Sequence, residues 1–169
     1  TGNDTLIIPH SGTLEVEAVR VAPLGTGFGV AVRWANNTGS GPGKIELYQV
    51  SSAGMVVGAA QLVTDQSQSD FASGEQSFGI ATNPAGRTLI VWHVCDSSGT
   101  TCDVFGRLAH ADGTMDGDVF GLPTTTDGDQ PGPSVAPLPD GFAVAWTDTS
   151  HVAPDTQGSA VRARIFYPP

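Results

Sequence analysis

The sequence predicts an all-β fold of short antiparallel strands arranged in repeated units. Three observations lead there. The 169 residues include 22 glycines and 12 prolines, an excess of turn formers that favours many short elements over long helices. Three tryptophans, Trp34, Trp92 and Trp146, are spaced by 58 and 54 residues, and each closes a similar run: Phe28-Gly-Val-Ala-Val-Arg-Trp34, Thr88-Leu-Ile-Val-Trp92 and Phe142-Ala-Val-Ala-Trp146. Counting back by twos from each tryptophan meets Val32 and Val30, Ile90 and Thr88, Val144 and Phe142. That period of two marks strands with one face of β-branched and aromatic residues.

The elements follow in the same order three times. A first strand covers Ala18–Leu24, Ser77–Thr82 and Pro133–Leu138. Hairpin chemistry comes next, in Gly25-Thr-Gly27, Asn83-Pro-Ala-Gly86 and Pro139-Asp-Gly141. The tryptophan run is the second strand. A third strand reads Lys44–Val50, Cys102–Leu108 and Ala160–Phe166. A fourth is found twice, Met55–Thr64 and Asp118–Thr125, after the tight turns Ser52-Ala-Gly54 and Ala111-Asp-Gly113. The third copy stops after its third strand, while Leu6-Ile-Ile-Pro-His-Ser11 matches Gly121-Leu-Pro-Thr-Thr125 with Pro9 on Pro123. The N-terminal residues 4–9 are thus predicted to supply a fourth strand.

Four antiparallel strands per unit of about fifty-five residues are the signature of a β-propeller blade. Blade 1 spans about 12–65, blade 2 about 66–126, and blade 3 about 127–169 together with the strand at 4–9. An immunoglobulin-like sandwich also reads as short strands with frequent turns, but the threefold tryptophan recurrence favours the propeller. Closed propellers hold about four to eight blades, and this chain encodes three. The simplest closure is a six-bladed ring of two chains, each N-terminal strand pairing with the partner's Ala160–Phe166. The alternative partner is a second propeller fragment on another chain.

The pattern Asp129-Gln130, Pro133-Ser-Val-Ala136, Asp140-Gly-Phe-Ala-Val-Ala-Trp146 and Val161-Arg-Ala-Arg-Ile-Phe166 resembles the blade repeats of large secreted and surface bacterial proteins. The resemblance covers nearly the whole chain. It implies a non-catalytic, adhesion-type module and brings no catalytic residues with it.

Seven Lys and Arg against seventeen Asp and Glu give a net charge of −10, which argues against nucleic acid and anionic membrane surfaces as partners. No run of eighteen apolar residues is present, so no membrane-spanning helix is predicted. The chain begins with Thr and carries no leader pattern, as expected of a processed form or a fragment. A single lysine and a surface rich in Thr, Ser, Gln, Asn and Gly point to a secreted, cell-surface or periplasmic protein. Cys95 and Cys102 flank a hairpin turn, where facing strands bring Cβ atoms into disulfide range.

Much of the acidic charge falls on the loops at one end of the blades. The candidate ligand-binding residues there are His10, Asp65, Asp127, Asp129, Gln130 and Asp148. No cofactor is expected. Calcium, which takes six to eight oxygens, has weak candidates in Asp127 and Asp129 and in the run Asp112–Asp118, which also reads as a plain turn. The four histidines lack the i, i+4 spacing of a helical zinc site, and no Gly-x-Ser-x-Gly nucleophile run is present. The expected function is a binding module for a glycan or protein ligand. A structural half of a larger assembly is the alternative, and a hydrolase the third reading.

Overall fold

The computed structural model describes residues 8, 14–36, 43–64, 77–96, 101–154 and 156–169. Among these residues eleven strands form three antiparallel sheets. The first sheet takes β1 (Leu14–Leu24), β2 (Gly27–Asn36), β3 (Lys44–Val50) and β4 (Val56–Leu62) in chain order. The second takes β5 (Phe78–Thr82), β6 (Thr88–Cys95), β7 (Cys102–Ala109) and β8 (Met115–Gly121). The third takes β9 (Ser134–Pro137), β10 (Phe142–Asp148) and β11 (Ala160–Phe166). Among the described residues the sheets close into no barrel or ring. Of the N-terminal strand expected at 4–9, only Ile8 lies within the described residues.

The sheets stack face to face in chain order. Leu24, Ala31, Ile45, Leu47 and Val63 of the first pack against Phe78, Ile90, Trp92 and Ala109 of the second. On the opposite face of the second sheet, Leu89, Val91, Val104, Leu108 and Leu122 meet Phe142, Val144 and Trp146 of the third. The first six residues of β6, in the middle sheet and covered on both sides, are all buried, whereas β10 alternates buried and half-buried along its whole length. β7, in the same middle sheet, still alternates from Cys102 to Leu108, so the two-residue period is lost in β6 and not across the whole sheet.

The repeat is more exact than the sequence alone indicated. The turns capped by Gly54 and Gly113 lie 59 residues apart, as do Gly58 and Gly117, which take left-handed φ of 72° and 77° where β4 and β8 each slip register. Just after each bulged strand the next backbone N–H returns to the third strand, Val63 to Ile45 O at 2.8 Å and Leu122 to Val104 O at 2.9 Å. β8 starts three residues earlier than predicted, because Met115 already pairs with Ala109 across the turn. β1 likewise starts earlier, at Leu14, carried past a bulge between Val16 and Ala18.

The three tryptophans are buried, but they are not all equivalent. Trp92 lies opposite Phe105 and Trp146 opposite Arg162, whereas Trp34 lies opposite Lys44, two residues further from its third-to-fourth strand turn. A slip of two residues keeps the same face, so the apolar pattern could not reveal it. Buried indole N–H groups usually find a hydrogen-bond partner. Those of Trp92 and Trp146 have none among the described residues, and that of Trp34 stands beside the Tyr48 hydroxyl without a hydrogen bond of ordinary geometry.

Two arginines that the sequence reading passed over tie the stack together. Arg107 reaches back from β7 to the carbonyls of Leu62 and Val63, at 3.0 and 3.3 Å. Arg164, at the matching place in β11, donates to the carbonyl of Leu122 at 2.8 Å. Each guanidinium thus satisfies the carbonyl that ends the preceding sheet's fourth strand, a charge-assisted bond between sheets. The first sheet has Tyr48 at this position, with its hydroxyl on Glu46 at 2.8 Å.

Candidate functional site

Four of the six predicted ligand-binding residues lie within the described chain, around the junction of the second and third sheets. His10 and Asp65 lie outside the described residues. The segment Asp129–Pro131 runs between β7 and the end of β10 and bonds to both. Gln130 N donates to Cys102 O at 2.7 Å, and Cys102 N donates to Asp129 Oδ1 at 3.0 Å. On the other side Thr147 N donates to Pro131 O at 3.1 Å and Thr149 N to Asp129 O at 3.0 Å. This ladder sets Gln130 directly across from Asp148.

Both side chains are shut away from solvent. Gln130 is 0% exposed, its amide donating to Asp127 O at 2.6 Å. Asp148 is 2% exposed, with Oδ2 accepting from Ser150 Oγ at 2.7 Å and from Arg162 Nε. Burial works to raise the Asp148 carboxyl, but the hydrogen bonds and charge of Arg162 and the Ser150 hydroxyl outweigh it, holding the group below the ordinary carboxylate range. Gln130 Oε1 and Asp148 Oδ1 have no hydrogen-bond partner among the described residues. Asp127 alone of the four stands exposed, and Asp129 is half-buried.

Beside this junction Cys95 and Cys102 are register partners at the end of the β6–β7 hairpin and form the expected disulfide. With His93 they make the one group of three or more possible metal ligands among the described residues, their ligand atoms within 4.8 Å of one another. The two sulfurs are bonded to each other, so neither is a thiolate available to a metal. Asp127 and Asp129 form no such group. In the run Asp112–Asp118, Asp112 caps its turn by accepting from Thr114 N and Oγ1 at 3.0 and 2.6 Å, while Asp116 pairs with Arg87.

Asp103, on the opposite face of β7, is a residue that sequence reasoning missed. Burial, and then the neighbouring Asp129 carboxylate, push its carboxyl above the ordinary range. Its raised folded-state pKa means that the folded chain holds this proton more tightly than the unfolded chain. The stability this confers is present at low pH and is lost as pH rises through the folded value. Asp103→Asn is accordingly expected to raise the urea midpoint at pH 7 and to leave it unchanged near pH 3. An equal gain at both pH values would show that charge is not the cause.

Searches against protein-family models, curated proteins and solved structures found no match to this chain.

Proposed function

We propose that the chain works outside the cell as a non-catalytic binding module, three consecutive blades of a β-propeller that present one loop end to a glycan. The observation that carries the blade reading is the recurrence, at a fixed spacing, of turn, bulge and returning N–H in the first two sheets, with the arginine latch repeated in the second and third. Stacking with each sheet covering the next is how blades pack. The disulfide is compatible with an extracellular setting.

The predicted site residues also have structural roles. At the junction of the second and third sheets, Asp129, Gln130 and Asp148 fasten backbone segments and inter-sheet contacts. Of the three grouped metal ligands among the described residues, the two cysteines are joined in a disulfide. Among the described residues the Asp127 carboxylate is exposed at this end, and carboxylates accept from the hydroxyls of sugars.

The purified 169-residue protein on a panel of immobilised neutral and amino-sugar glycans tests this. Binding to at least one class is expected, weakened severalfold by Asp127→Asn and accompanied by no release of reducing sugar. Turnover of a bound glycan would overturn the non-catalytic reading. A silent panel, with binding instead to an extracellular protein, would reassign the ligand.

A further inference from the structure

Resting on the blade reading above, we infer that a second copy of this chain completes the third sheet, its Ile8 entering as a fourth-strand residue beside Val161 in β11. Inside the chain, two inter-sheet contacts show what each face of a sheet requires. At the later face of the first two sheets, Ile45 and Val104 are both 0% exposed, and Leu108 is 4% exposed. The matching residues of the third sheet, set by the shared latch position of Arg107 and Arg164, are Val161 and Ile165. They are 81% and 47% exposed. The same side-chain chemistry is thus retained at positions that no described residue of this chain covers.

The first sheet shows the converse deficit. Phe78, opposite Trp92 on the earlier face of the second sheet, is 3% exposed, whereas Val19, at the corresponding place opposite Val32, is 45% exposed, and neighbouring Val21 is 59% exposed. Contiguous apolar surface of this kind marks an interaction site. One open face has the chemistry of a later face and the other that of an earlier face, and these are the two surfaces that meet between the first and second sheets and again between the second and third.

Ile8 identifies the occupant. Val63 packs with Ile90 and Trp92 beneath the second sheet, and Leu122 with Val144 and Trp146 beneath the third. Ile8, which the Pro9–Pro123 alignment matches to Leu122, packs in the same manner against Val30, Val32 and Trp34 of the first. Val63 and Leu122 each also donate their N–H to a third-strand carbonyl, Ile45 O or Val104 O. The equivalent acceptor in the third sheet is Val161 O, on β11, an edge strand of that sheet. Ile8 and Val161 belong to opposite ends of the stack. Three sheets turn through too little of a circle to bring those ends together, because rings close with about four to eight blades. The pairing therefore forms between copies. Two head-to-tail contacts related by a twofold axis close a six-sheet ring and leave no open end.

Three measurements test the inference. The native mass is expected at twice 17.3 kDa. Val161→Asp alters a residue that is exposed within its own chain, so the variant should keep the wild-type circular dichroism while its dimer Kd rises on the order of a hundredfold. Ile8→Cys protein mixed with Val161→Cys protein should form a cross-linked pair under mild oxidation, and neither variant should do so alone. A folded monomer for the native chain overturns the inference, as does a dimer indifferent to Val161→Asp or one without the cross-link. Glycan binding by the Val161→Asp variant reports separately on the module reading, which survives if a monomer still binds.

Discussion

Trp92→Ala is expected to cost about 3–5 kcal/mol of unfolding free energy, the largest effect of any single truncation here. The indole is 1% exposed between the first and second sheets, against Leu24, Ala31, Ile45 and Leu47, and stacks on Phe105 with ring centroids 6.5 Å apart. Its loss leaves a cavity bounded by two sheets whose backbones are held by their own ladders, so little collapse can fill it. Urea unfolding followed by circular dichroism measures the change. A cost under about 1 kcal/mol would mean that the first two sheets do not share this core.

Arg162→Ala is expected to be nearly as damaging at neutral pH, at about 3–5 kcal/mol, because it strands a buried carboxylate. In the native chain Arg162 pairs with Asp148 and also donates to Val152 O at 2.5 Å. Asp148 is held below the ordinary carboxylate range, so its contribution is full above the unfolded value of about 3.9 and is lost as pH falls through the folded value. Without the guanidinium that depression disappears, and protonation relieves the stranded charge. The penalty should therefore shrink as pH drops below about 4. Asp148→Asn keeps the shape without the charge and should cost less than Arg162→Ala at pH 7. Equal losses at pH 7 and pH 3 would show that packing by the arginine stem, rather than charge, sets the effect.

Much of the architecture was legible in the chain because a period of two and a recurring turn are local signals. The Phe142–Trp146 run and the turn at Ala111-Asp-Gly113 each named its own element. What stayed hidden depends on partners distant in sequence. The two-residue offset of Trp34 changes no face, so only cross-strand pairing exposes it. Arg107 and Arg164 read as ordinary solvent-facing strand residues until the carbonyls of Val63 and Leu122 appear opposite them. Their matching place within the repeated third strand was the available signal.

The candidate site was legible in its location more than in its role. Asp129, Gln130 and Asp148 were singled out together, and the structure brings them to one junction. Composition does not tell an acid that meets solvent from one that meets an arginine across a sheet. Gln130 and Asp148 are of the second, inward kind, and Asp127 is of the first. Asp103 gave no sign at all, since its raised pKa arises from burial and from a carboxylate 26 positions away.

The exactness of the 59-residue interval between Gly58 and Gly117 carries a consequence for how such a chain can change length. The first and second units each end in a carbonyl and an apolar residue, at Val63 and Leu122, and the second and third receive that carbonyl with Arg107 and Arg164. Duplicating or deleting one whole unit in the gene would therefore leave both terminal surfaces as they are. A product with two units or four would display the same pair of ends as this one, so the number of sheets could drift by tandem duplication without any new contact having to be invented.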